Sequence, residues 1–178
     1  MIALRPAIAT VEEFYAHALA IEREAADRYA EFEEYFAGRG EDALSGLCRN
    51  LALAEREHFE ELDRACRNLT LPAIAAGDYL WLEAGSPEAA ARELLYRVAT
   101  PRQLLEIALA AELRARAFFV WVAQTAPSHE VQELASIMAS EELEHVGWVR
   151  QALEYHAPEG LDWEKLLAEG IGPGTAQP

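Results

Sequence analysis

Leu51-Ala-Leu-Ala-Glu55-Arg-Glu-His58 and Met138-Ala-Ser-Glu-Glu142-Leu-Glu-His145 are the stretches that decide the fold. Each contains a Glu-x-x-His pair. Residues three apart lie on one side of a helix, so each pair turns an oxygen and a nitrogen in the same direction. Glutamate is so frequent in this chain that one such pair would mean little; the weight comes from where the two fall. A helical hairpin before each stands another glutamate in apolar surroundings. Glu22 lies within Ala18-Leu-Ala-Ile-Glu22-Arg-Glu-Ala25, and Glu112 within Ala108-Leu-Ala-Ala-Glu112-Leu-Arg-Ala115, two segments identical at five of eight positions. Glu22 and Glu112 are 90 residues apart, Glu55 and Glu142 87. The halves read as copies of one hairpin.

Four long helices follow from periodicity and punctuation. The first is expected from Val11 to Ala37, opened by the capping box Thr10-Val-Glu-Glu13 and closed by Gly38-Arg-Gly40. The second is expected from Asp42 to Asn68. The third opens at Thr100-Pro-Arg-Gln103, a second capping box with proline at the first helical position, and runs to Thr125. Pro127 and Ser128 break the chain before a fourth helix that continues to His156. Between the second and third lies a long connection, Leu69 to Ala99, with a short helix expected from Ser86 to Val98. Short, long, short loops make two antiparallel hairpins joined by one crossover, the ferritin-like kind of four-helix bundle. Residues 1–157 form the bundle domain, and 158–178 a tail expected to be partly mobile.

Heights along the bundle then bring the motifs together. Glu22 and Glu55 stand nearly equidistant from the first turn, Glu112 and Glu142 from the second. At about 1.5 Å per residue each pair is level to within about 2 Å. Four carboxylates and two imidazoles can therefore meet in one layer, a donor set that suits two divalent first-row metals. A carboxylate turned into an apolar stripe is costly unless a cation or donor meets it. The expected metal ligands are Glu22, Glu55, His58, Glu112, Glu142 and His145. Tyr29, two turns beyond Glu22, is placed either to pack or to donate its hydroxyl to a ligand carboxylate; Phe119, at the matching place after Glu112, can only pack.

Other residues read as ordinary structure. Glu24, Glu57 and Glu144 point away from the ligand face. Cys48 and Cys66, about 27 Å apart along one helix, cannot bridge, and Cys48 reads as a small buried hydrophobe. His17, His129 and His156 lack a glutamate at ligand spacing and are expected on the surface. Phe118-Phe-Val-Trp-Val122 is apolar in nearly every direction, which predicts a homodimer. The formal charge of −16 disfavours nucleic acid. No apolar run is long enough for a membrane span, the N-terminus does not read as a signal peptide, and the thiols are unpaired, so a cytoplasmic location is expected.

On Glu22 with Tyr29, Glu55-Arg-Glu-His58, Glu112 and Glu142-Leu-Glu-His145, the chain resembles the rubrerythrin-like branch of the ferritin-like diiron carboxylate proteins. The resemblance spans the four long helices. It implies two iron ions, with manganese or a mixed iron–manganese pair also accepted by the donors, that react with peroxide or dioxygen in a protein usually dimeric. It further implies that Glu55 and Glu142 bridge the ions, that Glu22 and His58 complete one coordination sphere, and that Glu112 and His145 complete the other. The chain departs from that family in two ways. It has no rubredoxin domain with paired Cys-x-x-Cys sequences, so electrons would come from an external donor protein. Ala115 stands where rubrerythrins commonly carry a further glutamate, and Ala25 stands at the matching place in the first half. The six-ligand site is therefore expected to be symmetric, its metals fixed on oxidation and dioxygen as reactive as peroxide.

The leading reading is a non-haem diiron oxidase or peroxidase, an oxidoreductase with no catalytic group beyond the metal ligands. The alternatives are iron oxidation and storage in a larger assembly, and a metal-free helical interaction protein.

Overall fold

The computed structural model describes residues 6–75, 77–83, 86–87 and 100–156. Four helices account for most of them: α1 (Val11–Ala37), α2 (Asp42–Ala65), α3 (Pro101–Thr125) and α4 (His129–Tyr155). The described residues are all-α, a four-helix bundle in which α1 packs along α2 and α3 along α4. The short helix expected over 86–98 lies, except for Ser86 and Pro87, outside the described residues, as do the N-terminal five residues and the tail beyond His156.

Local chemistry explains the helix ends. At α1 the Glu13 amide donates to Thr10 Oγ1 at 3.1 Å, and the Thr10 amide donates back to Glu13 Oε2 at 3.3 Å. Thr100 and Gln103 make the same reciprocal pair before α3, with Pro101 at the first position. Helix α1 closes where the Glu41 amide folds back to Phe36 O at 3.0 Å, a reversal that Gly40 permits by adopting φ of 73°. The second helix stops at Ala65, three residues short of the expected Asn68. Cys66 caps it, and the Leu69 amide turns back to Cys66 O at 2.8 Å as the chain swings across the bundle. Both cysteines are buried and free.

The apolar interior is in two parts. One gathers Phe14, Ala18, Ile21, Leu62, Ala115, Phe118, Phe119, Ala135 and Met138; the other gathers Tyr29, Phe32, Phe36, Leu51, Ala52, Ala108, Ala111 and Val149. On every helix the break between them falls at the glutamate singled out above. Alanines flank the break on α1, α2 and α3, leaving room for side chains that a row of leucines would exclude.

One expectation from sequence is corrected here, and another is narrowed. His17 is not a surface residue: it is 2% exposed, its Nδ1 lying 2.7 Å from Glu13 O while its Nε2 accepts the Leu80 amide at 3.0 Å. Its ring stacks on Phe118 and meets Tyr79 and Trp81 edge-on. A histidine four residues after a backbone carbonyl can be satisfied at one nitrogen by its own helix and use the other to hold a neighbour, and here it fastens the crossover to the bundle. His129 is exposed as expected, and His156 is half-buried. The Phe118–Val122 run is likewise covered within the chain. Phe118, Phe119 and Val122 are fully buried, against Phe14, Trp81 and their neighbours, and Val120 and Trp121 are half-buried. Three of its five residues are thus taken up within the chain, and the expectation of a homodimer rests on the partly exposed Val120 and Trp121.

His17→Ala removes two hydrogen bonds and three ring contacts, and should cost about 2–4 kcal/mol. Burial depresses the His17 imidazole below its ordinary 6.5, so its contribution is complete above pH 6.5 and is lost as pH falls through the folded-state value. Hydrogen exchange at the Leu80 amide, corrected for intrinsic rate, should show protection falling below pH 6 in the parent and already low in His17→Ala.

Candidate metal centre

Each helix delivers its glutamate to the gap between the two apolar cores. Glu22, Glu55, Glu112 and Glu142 are all at most 3% exposed, and His145 is 2% exposed. Helix α2 places Glu55 between the two imidazoles: its Oε1 lies 2.9 Å from His145 Nδ1 and its Oε2 3.7 Å from His58 Nδ1. His58 Nδ1 is also 3.5 Å from Glu22 Oε2. On the other side, His145 Nδ1 is 3.6 Å from Glu112 Oε2 and 3.8 Å from Glu142 Oε2. The imidazoles stack at 5.3 Å between centroids. All six residues expected as ligands are thus in one layer. Glu55 touches both halves, whereas Glu142 lies with Glu112 and His145.

Among the described residues the donor atoms converge at ion-pair distances with few aligned hydrogen bonds between them. Glu55, Glu112, Glu142 and His145 can each offer one atom with all four atoms within 4.8 Å of one another, as can Glu55, His58 and His145. Both carboxylate oxygens of Glu22, both of Glu55, and Nδ1 of His145 are buried without a hydrogen-bond partner. Buried polar atoms left this way are expensive, and six oxygen and nitrogen donors around a common space fit divalent first-row cations.

Electrostatics report the same strain. Burial and then the neighbouring Glu55 charge push the Glu22 carboxyl well above 4.5. Burial pushes Glu142 the same way, assisted by Glu112, Glu55 and Glu22. Burial also opposes ionisation of Glu55, but His145 and His58 outweigh it and hold that carboxyl below the usual range. Burial works against charging either imidazole. Glu22 and Glu55 nevertheless raise His58 to about 10, and Glu112 and Glu55 do the same for His145.

Arg28 was not anticipated. It is 3% exposed, donates from Nη2 to Glu112 Oε1 at 3.1 Å, and stands over the Tyr29 ring at 4.2 Å. Tyr29, wholly buried, donates its hydroxyl to the same Glu112 oxygen, so it does more than pack. A signal existed, since Arg28 follows Phe14 and Ile21 at seven-residue spacing on the core-facing side of α1. Glu24, Glu57 and Glu144 are exposed as expected. Ala25 and Ala115 are buried and supply no donor.

His58 is reached from outside, its side chain being 19% exposed against 3% for His145. A cavity of about 150 Å³ between α1, α2 and α4 ends on it, lined by Phe14, Leu62, Leu134, Ile137 and Met138 with Glu61 and Glu141 at the polar part. Glu141 Oε2 is 4.0 Å from His58 Nε2.

Fold and site together define a four-helix bundle with a buried carboxylate–imidazole centre. Among solved structures, an uncharacterized conserved protein from Magnetospirillum magnetotacticum MS-1 is similar. Its TM-score is 0.72 at 26% identity, over 86% of this chain and 99% of that one. No protein-family profile matches the chain, and no curated protein matches it. Among the described residues no helix is long and apolar enough to cross a membrane.

The metal-free protein should lose stability as pH rises. His58 and His145 are charged more readily in the fold, so their contribution is complete below pH 6.5 and is lost as pH climbs to about 10. Glu22 and Glu142, also raised, favour folding below 4.5 and cost stability once they ionise. Glu55, depressed, contributes above 4.5 and fails below it. Glu142→Gln removes a carboxyl that burial and its acidic neighbours keep from ionising, and should raise the melting temperature of metal-free protein at pH 8. The scale is about 1.4 kcal/mol per pKa unit relieved, or about 2–4 °C per kcal/mol. Calorimetry on chelator-treated protein across pH 6–9 checks both slope and variant.

Proposed function

We propose that this chain is a dinuclear metal protein, an oxidoreductase of the rubrerythrin-like kind acting on peroxide or dioxygen. The observation that carries the reading is the set of buried carboxylate oxygens on Glu22 and Glu55, with His145 Nδ1, that have no hydrogen-bond partner within a six-residue layer. Glu22 and His58 would hold one ion, Glu112 and His145 the other, and Glu55 and Glu142 would serve both. Iron fits the redox role, and manganese or a mixed pair fits the same donors. Held by these residues, a ferrous pair would supply the two electrons needed to reduce the oxidant.

The chain's own residues do the rest. The apolar cores above and below keep water from the layer, and Arg28 and Tyr29 fix the orientation of Glu112. The cavity ending at His58 admits a molecule the size of peroxide or dioxygen along a mostly apolar wall. Ala115 adds no further carboxylate, so the donor set does not favour peroxide over dioxygen by an exchange of ligands. Both thiols are buried and lie outside the layer, so electrons for repeated turnover come from a separate donor protein.

Anaerobic titration of metal-free protein with ferrous iron should reach about two ions per chain. A hundredfold excess over the dissociation constant should stabilise by about 2.7 kcal/mol, a rise of about 5–10 °C. Glu55→Ala and Glu142→Ala should abolish that rise, and peroxide and dioxygen should oxidise the loaded protein at rates within tenfold of each other in stopped flow. A parent with no metal-dependent shift, and no uptake beyond that of the variants, defeats the reading.

A further inference from the structure

The two halves of the site differ in one respect that their repeated sequence hides. Six and seven residues after Glu22 stand Arg28 and Tyr29, which reach across the bundle to Glu112. Six and seven residues after Glu112 stand Phe118 and Phe119, which pack with Phe14 and Trp81 and have no donor to offer. One oxygen of Glu112 is therefore taken twice over, by a guanidinium and by a phenol. Among the described residues, both oxygens of Glu22 are left without a hydrogen-bond donor. The expected symmetry holds for the six ligand types and fails in what surrounds them.

We propose that Arg28 is a fixed internal cation of the site, a positioning residue that holds Glu112 by one oxygen and makes the two metal positions unequal. This rests on the metal reading above. A guanidinium bonded to Glu112 repels any cation that the remaining oxygen, Oε2, helps to bind, while the donors of Glu22 and His58 face no such competitor. The Glu22–Glu55–His58 position fills first and tightly, and it is the half that reaches the cavity through His58. The Glu112–Glu142–His145 position fills second and more weakly. Arg28 also keeps Glu112 in place while that position waits, because the Arg28–Glu112 pair is complete without metal.

Cobalt(II) is the probe, added to metal-free protein and followed by calorimetry and by its visible bands. The parent should bind two ions in steps whose dissociation constants differ by about tenfold or more. Arg28→Gln keeps a donor near Glu112 and drops the charge; it should tighten the second step at least fivefold and leave the first within twofold. Arg28→Lys keeps the charge and should retain the separation. A measurement on the parent alone stands if Arg28→Gln does not fold. With one equivalent of cobalt, paramagnetically shifted imidazole signals should come from His58 and not from His145. Equal steps in the parent, signals first from His145, or a second step unchanged or weakened in Arg28→Gln would overturn the proposal and leave the metal reading intact. Absence of any cobalt binding would instead overturn the metal reading, and this proposal with it.

Discussion

Four carboxylates sharing one buried layer cannot all be ionised unless positive charge stands among them. That constraint organises the rest of the molecule. Burial, with the neighbouring carboxylates, pushes Glu22 and Glu142 toward protonation, while Glu55 stays ionised because two imidazoles are drawn into their charged forms beside it. Arg28 meets Glu112 directly. In metal-free protein the charge is thus balanced by held protons and one guanidinium, an arrangement that metal ions can replace. The split apolar core follows from the same cause. Phe14, Phe118 and Phe119 close the layer on one side, and Tyr29, Phe32, Leu51 and Leu104 close it on the other.

The hairpins were legible because their signals are local. Thr10 with Glu13, Thr100 with Gln103, and the Gly38–Gly40 reversal mark helix ends through bonds within one turn of the chain. That Glu22, Glu55, His58, Glu112, Glu142 and His145 would share one layer was legible because helical spacing and equal distance from a turn are arithmetic on the sequence. Arg28 was missed because an arginine between Asp27 and Tyr29 looks like a solvated charge until its heptad row, Phe14 and Ile21, is followed into the core. His17 was missed for a related reason. Its partner is the Leu80 amide, 63 residues away in a crossover whose path no periodicity announces. Part of the aromatic run Phe118–Val122 is covered for the same reason: Trp81 of the crossover packs against Phe118 at that end of the bundle.

The internal repeat explains both the likeness and the inequality of the two halves. Duplicating a hairpin duplicates Glu22 as Glu112 and Glu55-x-x-His58 as Glu142-x-x-His145, which is enough to form the layer. It need not preserve what stands behind each ligand. With Arg28 and Tyr29 in one copy and Phe118 and Phe119 in the other, a donor pair on one helix faces an apolar pair on its counterpart. The Magnetospirillum protein, similar over nearly its whole length, shows that this arrangement of helices is not peculiar to one sequence.

On the function proposed, the buried layer holds two cations among Glu22, Glu55, His58, Glu112, Glu142 and His145. The most direct measurement is anomalous X-ray diffraction at the iron edge on crystals loaded anaerobically with ferrous iron. Two anomalous peaks should appear in the layer, one beside Glu22 and His58 and one beside Glu112 and His145, with Glu55 reaching both. An ordered layer without anomalous density, its carboxylates paired to one another and to the histidines through protons, would contradict it.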